Sequence, residues 1–210
     1  MFDRFYSAFE KVPAGQSVRA PFRDPRLVPS SGYVDLVEQS AGCSFNNGIY
    51  RLHDEESGTR SIAMISDAFS DYAQRACPFG YDWLGRQFAL DSSRVENGES
   101  LVLLMEPGTA EVLEIPLSFA AFHEQLESLK EPALAGSFFA DWSRANPLSI
   151  PLNFDACVGY RIPLFLGGSD TIENLEVIDL EVYWSLCGQL RSGTRRLPPG
   201  MSISEISIND

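Results

Sequence analysis

The chain has 210 residues, with 16 basic against 29 acidic side chains, a formal charge of -13 and 44% hydrophobic content. This balance excludes an intrinsically disordered chain, and a globule of this length buries roughly 70% of the surface its unfolded chain exposes. No run of about 18 apolar residues occurs; the longest candidate, Leu101 to Met105, is strand-sized and closed by Glu106 and Pro107, so no membrane span is expected.

Phe2, Phe5, Tyr6 and Phe9 fall on one stripe of an amphipathic helix that must stop at Pro13. Pro13, Pro21, Pro25 and Pro29 then make residues 13 to 32 an extended connection, which divides the chain into an N-terminal helix and connection (1–32) and an α+β domain (33–210). Tyr33 to Ala41 resumes helical spacing, with Ser30 or Ser31 as N-cap and Gly42 as stop, and Ile49 to His53 reads as a strand after an Asn46-Asn47-Gly48 turn. A helix is expected over Ser66 to Ala76. Strands are expected at Gln87 to Leu90, Ser100 to Met105 and Ala110 to Ile115, the last two joined by a type II turn at Glu106-Pro107-Gly108-Thr109. Helices follow, from a Ser118 cap to Leu129 and from Leu134 to Ala145. Arg161 to Leu166 reads as an apolar strand ended by Gly167-Gly168, and Asn174 to Ile178 as another. Asp179 is placed to cap a last helix from Leu180 to about Leu190, with Gly193 as a stop and Pro198-Pro199-Gly200 beyond. Strands cluster in the middle and helices bracket them without regular alternation, which predicts an α+β fold with a central, mostly antiparallel sheet.

The opening MFDRFYSAFEKV lacks an apolar core and a small-residue cleavage site, so the expected location is the cytoplasm. Cys43, Cys77, Cys157 and Cys187 form no CxxC pair, and they read as buried free thiols. The first 26 residues are slightly basic and the rest is markedly acidic. A direct nucleic-acid binder needs a basic footprint to displace counterions, and this chain has the opposite. Acidic faces either keep a protein soluble or speed its encounter with a cationic partner.

Catalytic signatures are absent: there is no GxSxG, HExxH, GxxxxGK[ST] or GxGxxG. His53 and His123 sit in no motif and read as surface or packing histidines. Asp170, Glu173, Glu176, Asp179 and Glu181 crowd one stretch without a base, but not at the spacing of a calcium loop. A solvated face, a protein-binding face and a metal site all stay open for them. Gly167-Gly168 reads as a strand-ending turn, with a phosphate cradle as the alternative. Trp83, between Gly80 and Gly85, is either core or an interface anchor presented on a loop beside Asp82.

Several phrases together resemble a known family. GYDWLGRQFALD (Gly80 to Asp91), EPGTAEVLEIP (Glu106 to Pro116), Phe122-His123, the long block CVGYRIPLFLGGSDTIENLEVIDLEVYWSLCGQL (Cys157 to Leu190) and LPPG (Leu197 to Gly200) look like the C-terminal domain of type VI secretion immunity proteins. YVDLVEQSAGCSFNNGIYRL (Tyr33 to Leu52) is similar to the opening helix and strand of the broader SUKH-like or GAD-like immunity proteins. The resemblance covers about residues 33 to 200. It implies a SUKH-like α+β domain without catalytic residues or cofactor, one that binds and blocks a cognate toxin, a DNase in the family's named examples. On that reading the partner is a basic nuclease, with neither nucleic acid nor membrane bound directly. The expected toxin contacts are Asp82, Trp83, Asp170, Glu173 and Glu176. Two alternatives are a small ligand-binding or enzymatic domain with its site at Gly167-Gly168 near His123 or Cys157, and an interaction module that has no toxin.

Overall fold

The segment Val102 to Met105 is buried on both sides, and this sets the architecture. In the computed structural model, which describes residues 1–12 and 19–194, a seven-stranded antiparallel sheet lies between two layers of helix. Its strands follow chain order: β1 (Lys11–Val12), β2 (Ser44–Phe45), β3 (Tyr50–Leu52), β4 (Ala76–Asp82), β5 (Gln87–Glu96), β6 (Glu99–Glu106) and β7 (Glu111–Ser118). Successive strand residues point to opposite faces, so Phe88, Leu90, Val102 and Leu104 enter one cluster while Ala89, Leu103 and Met105 enter the other. Covering both faces is what makes β6 a continuous apolar run.

The first face is covered by α1 (Asp3–Ala8), α2 (Tyr33–Ser40), α4 (Phe119–Gln125), α5 (Lys130–Leu134) and α6 (Gly136–Ala145). Phe5 packs against Phe45, Tyr50 and His123, so the opening aromatic stripe is seated in the main core. The second face is covered by α3 (Glu55–Ala68) and α7 (Leu180–Thr194). A separate hairpin, β8 (Ala156–Tyr160) with β9 (Leu175–Asp179), leads into α7.

A bulge in β4 decides which residues meet α3. Pro78 pairs with Ala89 and Gly80 with Phe88, so Phe79 is the extra residue and Tyr81 is turned toward the second face. There it stacks on His53, whose Nε2 is 2.8 Å from Gln87 Oε1. Gly80 has to be glycine, because a Cβ would lie 2.5 Å from the Arg51 carbonyl oxygen.

Several expectations are corrected. The helix placed at Ser66 to Ala76 is α3, and it starts eleven residues earlier, at Glu55. Asp54 Oδ1 accepts from the Ser57 N–H at 2.8 Å while Ser57 Oγ accepts from the Asp54 N–H at 3.0 Å, a capping box whose serine takes the usual glutamate's place. Phe69 and Tyr72 belong to the turn that follows, and Ala76 opens β4. The strand placed at Arg161 to Leu166 is β8, at Ala156–Tyr160; Pro163 has no N–H to donate, and Leu164–Leu166 is a 3-10 turn. In the β6–β7 turn the positive φ falls on Ala110 (61°), not on Gly108. Gly108 serves close packing instead, since a Cβ there would sit 2.7 Å from the Tyr160 ring and 2.8 Å from Tyr183 Oη. The Leu134 to Ala145 helix breaks at Ala135 (φ 47°). Gly32, rather than either serine, is the N-cap of α2, and α7 runs through Gly193 to Thr194. Pro198-Pro199-Gly200 lies outside the described residues.

Candidate functional site

The five residues expected at a toxin contact fall into two groups. Asp82 and Trp83 are interior, each with 0% exposure, which corrects the picture of Trp83 presented on a loop. The Trp83 indole donates to the Leu134 carbonyl at 2.9 Å and packs against Phe138, Phe139 and Trp142. Gly85, at φ 76°, allows the tight β4–β5 turn that carries the ring inward. Asp82 accepts from Arg86 Nε at 2.7 Å and from the Leu84 and Arg86 N–H groups, both at 3.0 Å. Burial pushes its carboxyl up, against the opposing pull of the Arg86 guanidinium.

Asp170, Glu173 and Glu176 are exposed, on the β8–β9 connection and the strand that follows it. The connection is held from within by Asn174. Its Oδ1 accepts from the Ile162 N–H at 3.0 Å, and its Nδ2 donates to the carbonyls of Ile162 at 2.8 Å and Ser169 at 2.9 Å. One buried amide therefore fixes both ends of the loop that presents the acidic groups. Tyr160 donates to Asp170 Oδ1 at 2.7 Å, and Arg161 Nε lies 3.5 Å from Glu176 Oε2. Glu173 sits in a 3-10 turn, where its own backbone N–H and the Thr171 hydroxyl hold its carboxyl below the usual value.

Glu106 connects the two groups. It is nearly buried at the end of β6, with its Oε2 3.9 Å from Arg86 Nη1. Burial pushes its carboxyl up to about 7, with Asp82 and Asp170 adding to the effect and Arg86 opposing it. Asp82 thus acts beneath the exposed acidic loop rather than on it.

The alternative site near Gly167-Gly168 is not assembled. His123 lies in the first-face cluster among Phe5, Phe79 and Phe119, whereas Cys157 lies in the second-face cluster, on the far side of the sheet. Gly168 serves the loop, because a Cβ there would lie 1.8 Å from the Ile162 carbonyl oxygen. Burial lowers His53 to about 4 and His123 to about 3, and raises Cys187 to about 12. These histidines are neutral packing groups. The four cysteines are free, Cys43 being half-buried and the others buried. Among the described residues no three His, Cys, Asp or Glu side chains converge as metal ligands, and no helix is long and apolar enough to cross a membrane. What the surface offers chemically is fixed negative charge on a rigid hairpin.

The same hairpin and most of α7 lie within the stretch that comparison with known families picks out. Residues 123–191 match the family of the T6SS immunity protein Tdi1, C-terminal. The match runs from α4 to α7, includes Asp170, Glu173 and Glu176, and covers about a third of the chain. Over those residues the chain is similar to that family. The fold as a whole is similar to the crystal structure of Atu4351 from Agrobacterium tumefaciens, with a TM-score of 0.65 and 14% identity over 90% of this chain and 89% of that one. At that identity the likeness speaks for the α+β fold alone. No curated protein matches the chain.

Proposed function

We propose that this protein is an immunity protein that binds a cognate antibacterial type VI secretion toxin and neutralises it by stoichiometric occlusion. The observation that carries the reading is the family match, whose residues build the exposed acidic hairpin. The proposed contacts are Asp170, Glu173 and Glu176, while Asp82 and Trp83, both fully buried, stabilise the fold behind them. Recognition is assigned to residues 33–210, while Phe2, Phe5, Phe9, Phe22 and Leu27 complete the core. A charge of -13 suits a cationic partner, and a basic nuclease is the toxin class we infer. Such a partner needs neither nucleic acid nor membrane contact from this chain, which is expected to act in the cytoplasm of the toxin-producing cell.

The test is a titration of this protein into the purified product of the neighbouring gene, with plasmid DNA as substrate. The expected result is DNA cleavage that falls linearly with added protein and ends at one equivalent. Full cleavage in the presence of excess protein contradicts the reading.

A further inference from the structure

Helices α3 and α7 pack side by side on the second face of the sheet and run in the same sense. Ser57, Ser61 and Met64 line a recess with Leu180 and Glu181, while further along Ala68 meets Gly188 and its carbonyl accepts from Arg191 at 2.9 Å. Between them lies an open groove of about 420 Å³. Its floor is apolar: Ala63, Met64, the Trp184 ring and Gly188. Trp184 is anchored by its indole N–H to the Gly85 carbonyl at 2.7 Å, so the floor is rigid. Gly188 lets the two helices approach closely beside the groove, since a Cβ there would lie 3.1 Å from Ala68 Cβ.

The charge around this groove is not balanced. Arg60, at its head, is neutralised twice, by Glu56 at 2.8 Å and by Asp155 at 2.7 Å. Arg191, at its foot, is engaged by the Ala68 carbonyl and the Phe69 ring. Asp67 and Glu181 line the groove with no cation paired to either among the described residues. Past Arg60 the surface continues into a wider recess of about 720 Å³ walled by Asp54, Glu55, Glu56 and Asp155, where the second base, Arg19, is bound to Asp54 at 2.8 Å.

We propose that the α3–α7 groove is the docking site for a basic segment of the toxin, a proposal that rests on the immunity reading. Lysine and arginine fit such a channel because their aliphatic stems cover apolar surface while their charged heads reach carboxylates at the rim. The helical stretch from Ser57 to Ala68 spans about 18 Å, the length of five or six extended residues. The acidic hairpin then meets a second part of the partner, and the groove supplies the insertion point.

The probe is a synthetic, end-blocked peptide of alternating lysine and leucine, titrated by calorimetry at low salt into the full chain. Two charge-reversal variants carry the same change in net charge: Asp67→Lys/Glu181→Lys in the groove and Glu173→Lys/Glu176→Lys on the hairpin. A third, Ser185→Trp, fills the groove and leaves every charge in place. All five positions are exposed, and circular dichroism checks the fold of each variant. The expected result is micromolar binding to the wild type, weakened at least tenfold by the groove reversal and by Ser185→Trp but less than threefold by the hairpin reversal. No binding, equal losses from the two reversals, or a Ser185→Trp variant that binds like the wild type overturns the proposal. The immunity reading fails by a separate readout, when the wild type does not neutralise the toxin even though the peptide binds the groove.

Discussion

The Asp82 carboxylate is held 2.7 Å from Arg86 Nε, inside the turn between β4 and β5 and fully shielded from solvent. Because the pair is buried, its partners matter more for folding than for recognition. Asp82→Ala leaves Arg86 charged in the interior, and the expected loss of stability is about 3–5 kcal/mol in urea unfolding. Trp83→Ala empties the adjacent space and is expected to cost a similar 3–5 kcal/mol. The folded fraction of either variant is expected to bind toxin with wild-type affinity. A tenfold weaker complex without loss of stability would restore these residues as contacts.

His123 supplies a prediction with a definite sign. Its Nδ1 is 2.8 Å from the Phe119 carbonyl, which can only accept, so Nδ1 carries the proton and Nε2 accepts from Tyr50 Oη, also at 2.8 Å. With its pKa lowered to about 3, and that of His53 to about 4, the unfolded chain binds more protons than the folded one below the ordinary histidine value. Their contribution is therefore complete above pH 6.5 and is lost as pH falls, by about 1.4 kcal/mol per unit for each histidine. Unfolding curves from pH 7 to pH 4 are expected to show a slope shallower by that amount in His123→Gln, whatever its absolute stability. An unchanged slope contradicts the neutral, buried assignment.

Glu106 works in the opposite direction. Its carboxyl is raised from 4.5 to about 7 on folding, so the folded state binds the extra proton, and the stability present below pH 4.5 is lost as pH rises through 7. Glu106→Gln removes that dependence. The variant is expected to gain on the wild type between pH 4.5 and pH 8, by an amount on the order of 3 kcal/mol at the upper end. Thermal melts of both proteins at pH 5 and pH 8 check this, and a constant difference between them would rule it out.

The hairpin carboxylates are exposed, so their effect belongs to encounter rather than to folding. Glu173→Lys/Glu176→Lys is expected to melt within about 0.5 kcal/mol of the wild type and to lower the toxin on-rate about tenfold at low salt. The difference should shrink as ionic strength rises and the Debye length falls below about 10 Å. Stopped-flow association at two salt concentrations measures it, and on-rates independent of salt would remove these residues from the encounter surface.

What the sequence made legible was governed by periodicity and local caps. The Asp179 cap on α7 is present as read, with its Oδ1 accepting from the N–H groups of Glu181 and Val182 at 3.0 Å, and the β6 core run is buried as its composition demands. The start of α3 was missed because its capping box closes with Ser57, and the apolar face of the turn beyond Ala68 imitated a helix. The fate of Trp83 turned on a long-range fact, the closure of α5 and α6 over the β4–β5 turn, which no local spacing encodes. The groove was out of reach for the same reason: Asp67 and Glu181 are 114 positions apart and meet only because α7 returns beside α3. The exposed acidic residues were legible as a charge run, yet the Asn174 clamp on their loop depends on a buried amide reaching back to the carbonyls of Ile162 and Ser169.

The most direct test of the central claim is survival. A susceptible bacterium expressing the product of the neighbouring gene under inducible control should lose viability by several orders of magnitude on induction and keep it when this protein is co-expressed. The toxin should then co-purify with it as an equimolar complex. Death at the same rate with and without co-expression, and no complex recovered from those cells, would contradict the account.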